Sequence, residues 1–98
     1  MRADANQEPI VKALRAIGCT VTVASQVGVG FPDLIVGRHG LNYLLEVKDG
    51  DKPKSKQKLS KVQQEFHDNW RGAITVVTTI DEAIRAVTSL AERSRFES

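Results

Sequence analysis

Phe31-Pro32-Asp33-Leu34-Ile35-Val36-Gly37 and, after Arg38-His39-Gly40-Leu41, Asn42-Tyr43-Leu44-Leu45-Glu46-Val47-Lys48 decide the fold of this 98-residue chain. Both runs are rich in branched and aromatic residues, and a glycine lies in the short link between them, which is the pattern of an antiparallel hairpin. If His39 and Gly40 form a two-residue turn, Arg38 faces Leu41 and each later pair steps one residue outward on both strands, so Asp33 falls opposite Glu46. A one-residue bulge would shift this register. Directly opposed residues have Cβ atoms about 4.5–5.5 Å apart; two bare carboxylates so placed repel, whereas one cation can hold both. Strand side chains alternate between faces, so Glu46 and Lys48 project together and Val47 turns away. Two carboxylates and an ammonium then share one face, a set suited to a metal ion working on a phosphate ester.

Outward from the hairpin, Ile10, Val11, Leu14 and Ile17 recur at helical spacing, with Lys12 and Arg15 on the polar side and Gly18 as the stop. Asn6 suits Pro9 better as the cap of this helix than Asp4 does, because a start at Asp4 would put proline in the second turn. Thr20-Val21-Thr22-Val23 reads as a strand, and residues 26–30 as a glycine-containing loop. Beyond the hairpin, Ser60 and Gln63 match a capping box that opens a helix carrying Val62, Phe66, Asn69 and Trp70, ended by Gly72. The spacing of Phe66 and Trp70 predicts a helical core pair rather than a base-stacking platform. Residues 73–78 form a short apolar, β-branched run, expected to be a strand buried on both faces. Thr79 and Glu82 repeat the capping pattern before Ala83, Ile84, Val87, Leu90 and Ala91, a last amphipathic helix, and residues 92–98 are expected to fray. The helix between the third and fourth strands permits a parallel crossover, so a mixed four-stranded sheet flanked by helices is the economical packing.

Ninety-eight residues suffice for one domain, residues 1–98, and the chain shows no repeat or linker. A hydrophobic content of 41% is ordinary for a globular protein, no apolar run is long enough to span a bilayer, and the N-terminus lacks a signal-peptide core. A cytoplasmic protein without membrane contact is expected. Cys19, the single cysteine, is expected to be a small packed residue. The net charge of +2 is too small to identify a nucleic-acid partner, but lysine is concentrated locally, at positions 48, 52, 54, 56, 58 and 61. Lys52, Lys54, Lys56, Lys58 and Lys61 are either a solvated loop or a group that holds DNA phosphates beside the site, with salt-dependent binding.

The element order and these motifs resemble the PD-(D/E)XK nuclease superfamily. More narrowly the chain resembles the virus-type replication-repair nuclease (VRR-NUC) family, over nearly its whole length. The matching residues are Asp4-Ala5-Asn6-Gln7, Gly30-Phe31-Pro32-Asp33-Leu34, Leu44-Leu45-Glu46-Val47-Lys48 and Gln63-Gln64-Glu65-Phe66-His67 with Trp70. The resemblance implies an α/β, restriction-endonuclease-like core of order αβββαβα. It also implies that Asp33, Glu46 and the Val47 carbonyl bind Mg2+ or Mn2+, while Lys48 positions water or stabilises charge. Gln63 either orients Lys48 or a phosphate, or is simply the helix cap. The superfamily often supplies an acid from the first helix, for which Glu8 is the candidate; relatives tend to carry it one position later, where this chain has Pro9. Glu8 is equally accounted for as a first-turn acid favoured by the helix dipole.

Short chains of this type come from phages and prophages, and relatives of this size look like dimeric Holliday-junction resolvases. The expected activity is therefore metal-dependent DNA endonuclease cleavage of branched DNA by a homodimer, since a junction needs paired cuts. The alternative is a non-catalytic module that binds DNA structure. A sequence-specific restriction enzyme would need a recognition domain for which there is little room. A histidine general base would have to be His67, and no histidine spacing supports zinc.

Overall fold

The computed structural model describes residues 4–89 and 91–92. The elements follow in the order α1 (Gln7–Ala16), β1 (Thr20–Val23), β2 (Leu34–Arg38), β3 (Leu41–Val47), a 3-10 turn (Lys54–Lys56), α2 (Lys61–Asn69), β4 (Ile74–Val77) and α3 (Ile80–Ala86). This is the expected αβββαβα order. The sheet runs β1-β2-β3-β4, antiparallel across the first three strands and parallel between β3 and β4, so α2 belongs to a crossover connection.

The hairpin turn sets the register as its chemistry requires. His39 and Gly40 both adopt left-handed backbone (φ 50° and 79°), and Arg38 pairs with Leu41 and Leu34 with Leu45. β2 is shorter than its sequence pattern, because residues 31–33 approach the sheet without joining the ladder as regular strand. The Asp33 carbonyl nonetheless accepts from the Ala24 amide at 2.7 Å, which carries pairing with the first strand one step further.

The two sheet faces are unequally covered. Val21, Leu34, Val36, Leu45, Val47 and Val77 pack against Ile10, Val11 and Leu14 of α1 and Ala83 and Val87 of the α3 end, forming the core. Cys19 joins this cluster, and burial pushes its thiol pKa up, as a packed rather than reactive cysteine requires. The opposite face, which alternation assigns to Asp33, Ile35, Leu44, Glu46 and Lys48, is approached by α2. That helix contributes no buried residue.

Four expectations are corrected here. Phe66 and Trp70 are not a core pair: Phe66 is half-buried and Trp70 is 41% exposed, because α2 lies against the sheet by polar contacts and one aromatic edge. β4 is not buried on both faces; it is an edge strand in which Val77 is buried and Thr75 and Val76 are exposed. The last expected helix is interrupted: α3 ends at Ala86, Ala91 and Glu92 are again helical, and Leu90 lies outside the described residues. Within the segment expected to fray, Glu92 forms an ion pair with the buried Arg38 guanidinium and contacts His39, while residues 93–98 lie outside the described residues. No described helix is long and apolar enough to cross a membrane.

Candidate active site

Asp33, Glu46, Lys48 and Gln63 meet on the sheet face opposite the core. Glu46, on the interior strand β3, is 2% exposed, and its carboxyl lies near enough to that of Asp33 for the two to interact. Burial pushes the Glu46 pKa up to about 8. The Asp33 hydrogen bond and negative charge push the same way, Lys48 opposes them, and the charge of Asp4 adds a further upward contribution. Asp33 is anchored from two sides: the Val47 amide donates to its Oδ2 at 2.8 Å, and the Ser25 hydroxyl to its Oδ1 at 3.4 Å. Val47 thus orients Asp33 through its N–H while its side chain stays in the core, as strand alternation demands.

Gln63 joins both expected roles in one side chain. Its Oε1 accepts from the Ser60 amide at 2.9 Å, and the Ser60 hydroxyl accepts from the Gln63 amide at 3.2 Å, closing the capping box of α2. The same Oε1 accepts from Lys48 Nζ at 3.0 Å, while Nε2 donates to Glu46 Oε2 at 3.3 Å. An amide carries both acceptor and donor, so a single residue can neighbour a carboxylate and an ammonium without favouring either sign. Lys48 has three N–H donors and spends one of them on Gln63, which leaves donors for a phosphate oxygen or water.

Buried atoms without partners mark where the site is unfinished. Glu46 Oε1 is buried and accepts no hydrogen bond, and Asn6 Oδ1 and Gln7 Oε1 at the start of α1 share that condition. Such oxygens are costly unless something binds them. Among the described residues no three of His, Cys, Asp and Glu gather as a metal cage. Asp33 and Glu46 could supply two carboxylates, oxygen donors of the kind that a hard cation such as Mg2+ takes.

At the N-terminus the structure separates the candidates. Glu8 is exposed (79% for its side chain) and lies 3.5 Å from Lys12, one turn on, so it faces solvent rather than the site. Asp4 adds a small share, after Asp33, to the negative charge that Glu46 feels, and it lies 3.7 Å from Lys52. Asn6 occupies the cap position without capping: its Nδ2 donates to the carbonyls of Lys48 (3.0 Å) and Thr78 (2.9 Å), tying α1 to the ends of β3 and β4. Sequence reasoning weighs Asp4 only as a cap. Its place two residues ahead of Asn6 is the available signal, but spacing does not reveal that Asn6 spans two strands.

Of the lysine run, Lys52 pairs with Asp4, and Gln57 braces the loop by donating to the carbonyls of Gly50 and Lys52. Lys54, Lys56, Lys58 and Lys61 are exposed. His67 lies one turn beyond Gln63, near enough to Lys48 to feel its charge; its Nε2 is buried without a partner, and burial is the main cause that lowers its pKa, against Asp68 and with Lys48.

No protein-family model and no curated protein matches the chain at a significant level. Among solved structures, one described as "VRR_NUC domain" is similar over 83% of this chain and 88% of that chain, with a TM-score of 0.64 and 24% sequence identity. A helix, an antiparallel three-stranded meander, a crossover helix and a parallel fourth strand, matched over most of both chains, give this protein the fold of a VRR_NUC domain.

Proposed function

We propose that this protein is a Mg2+- or Mn2+-dependent DNA endonuclease that hydrolyses phosphodiester bonds, acting as a homodimer on branched, Holliday-junction-like DNA. The observation that carries the reading is the buried, half-satisfied carboxylate of Glu46 held against Asp33, with Lys48 anchored beside it by Gln63. The neighbouring Asp33 raises the cost of ionising Glu46, and a structural role alone gives no reason to place the two acids together. Asp33, Glu46 and the Val47 carbonyl would hold the cation, with Asp4 contributing charge. The cation, when bound, supplies electrophilic stabilisation of charge on the phosphate and eases deprotonation of water.

The chain's own residues do the rest. Lys48, held through Gln63, presents its remaining N–H donors on the face where Glu46 projects, and stabilises charge that builds on a phosphate oxygen or orients the attacking water. Asp33, fixed by Val47 and Ser25, cannot swing away from Glu46. Lys54, Lys56, Lys58 and Lys61 hold flanking phosphates. Branch preference and dimerisation rest on symmetry, because a single site per chain makes one cut and a junction requires two.

The test is incubation of purified protein with labelled four-way, flap, nicked and linear DNA, with Mg2+, Mn2+ or EDTA. Metal-dependent cutting of branched DNA, abolished in Asp33→Ala and Lys48→Ala, is expected. Tight binding without cutting under any metal would instead leave a DNA-structure-binding module. Light scattering checks the dimer.

A further inference from the structure

The aromatic residues at the C-terminal end of α2 lie outside the core. Phe66 and Trp70 stack, with ring centroids 5.3 Å apart and planes 17° from parallel, and Phe31 meets Phe66 edge-on at 5.4 Å. Beside this stack lies an open cleft of about 260 Å³, lined by Val29, Val62, Glu65, Phe66, Asn69 and Trp70. Its walls are apolar and exposed: Val29 is 77%, Val62 51% and Trp70 41% accessible. These apolar side chains lie exposed on an otherwise polar helix, outside the core.

The cleft is rigidly coupled to the catalytic face. Gly30, at φ +81°, lets the loop settle on α2 so closely that a Cβ there would lie 2.5 Å from the Val62 carbonyl oxygen. That contact fixes Val29 over the helix, and the chain then passes through Phe31 and buried Pro32 into Asp33. On the other wall, Val62 adjoins Gln63, which holds Lys48 and Glu46. Along α2, Gln63 and Trp70 are separated by roughly 10 Å, about three stacked-base steps of a DNA strand.

We propose that this cleft stacks one unpaired nucleobase of the DNA substrate against the indole of Trp70, about three nucleotides from the scissile phosphate. The proposal rests on the nuclease reading for its substrate. A nucleotide fits because its parts match what surrounds the cleft. The base meets Trp70, Phe66, Val29 and Val62. Its polar edge meets the Glu65 carboxylate and the Asn69 amide at the rim. Its backbone runs towards exposed Lys58 and Lys61, at the start of the same helix. A fully paired duplex offers no free base face, so the cleft favours DNA with an unpaired nucleotide at a branch.

Trp70 is the single tryptophan of the chain, so its fluorescence reports this site directly. The experiment uses the unaltered protein in EDTA, where no cutting occurs. It is titrated with a duplex bearing a one-nucleotide bulge, with the same duplex carrying an abasic bulge, and with the fully paired duplex. The bulged DNA is expected to quench Trp70 emission and to bind about 5- to 150-fold tighter than the other two, the range that one base–aromatic stack supplies. Trp70→Ala should lose that factor on bulged DNA alone, and Trp70→Phe should keep most of it. Equal binding of base-bearing and abasic bulges overturns the proposal, as does Trp70 emission that changes with protein concentration and not with DNA, which would assign the cleft to a second copy of the chain. Metal-dependent cutting without quenching would sink the stacking and leave the nuclease standing; quenching without cutting under any metal would do the reverse.

Discussion

Removing the charge from Glu46 should make the metal-free protein more stable and inactive at once. The carboxyl is 2% exposed, with a pKa pushed from 4.5 to about 8 by burial and by Asp33. Between those values the folded chain holds a proton that the unfolded chain has released, so the stabilising contribution is complete below pH 4.5 and is lost as pH rises through 8. At about 1.36 kcal/mol per unit, the proton that the folded, metal-free protein retains on Glu46 makes it about 3 kcal/mol less stable at pH 7 than below pH 4.5. That is a large part of the ~5–15 kcal/mol that holds a small domain together, and for a chain of this size it lowers Tm by on the order of 10 °C. The assay is thermal unfolding in EDTA from pH 5 to 8. Unaltered protein should lose stability steadily with rising pH, whereas Glu46→Gln, which keeps an acceptor for Gln63, should melt higher at pH 8 and lose most of the slope. Added Mg2+ should recover roughly 2.7 kcal/mol at a hundredfold excess over Kd in the unaltered protein and nothing in the variant. A flat pH profile in EDTA, together with no gain from Glu46→Gln, would refute the buried-carboxylate reasoning.

Gln63→Ala should cost about 1 kcal/mol in thermal unfolding through the lost capping box and should reduce cleavage well beyond that, because Lys48 loses its anchor. Gly30→Ala should destabilise by about 2 kcal/mol or more, measured by urea unfolding, since its Cβ would strike the Val62 carbonyl and its backbone is left-handed. Glu8→Ala should leave cleavage unchanged while Asp4→Ala lowers it or weakens the Mg2+ response; the opposite ranking would return the N-terminal acid to Glu8. Replacing Lys54, Lys56, Lys58 and Lys61 by serine should flatten the log–log salt dependence of DNA binding by about 0.9 for each phosphate that is no longer neutralised, and an unchanged slope would remove the loop from the interface.

The hairpin is legible in the chain because its information is local. Two left-handed residues, His39 and Gly40, set a register that carries Asp33 towards Glu46 without reference to any distant part of the chain. Ser60 and Thr79 likewise cap their helices, since the signals that open a helix act within one turn, whereas Asn6 holds the cap position of α1 with its side chain turned to distant strands. Element ends are less legible: β2 begins three residues later than its branched pattern, because Pro32 and the loop before it are held by packing rather than by pairing.

Local chemistry in the sequence alone therefore determined the order of elements, the hairpin register and the grouping of Asp33, Glu46 and Lys48 on one strand face. Tertiary structure decided what surrounds that group. Helical periodicity says which residues share a stripe but not whether the stripe meets a core, so only packing could show that Phe66 and Trp70 line an open cleft. Spacing near the N-terminus could not rank Glu8 against Asp4, because a helix rotates through about 100° per residue and its orientation is set elsewhere, by Ile10, Val11 and Leu14 in the core. Gln63 was legible as a cap or as a site residue; the approach of α2 to the sheet, a long-range contact, made it both.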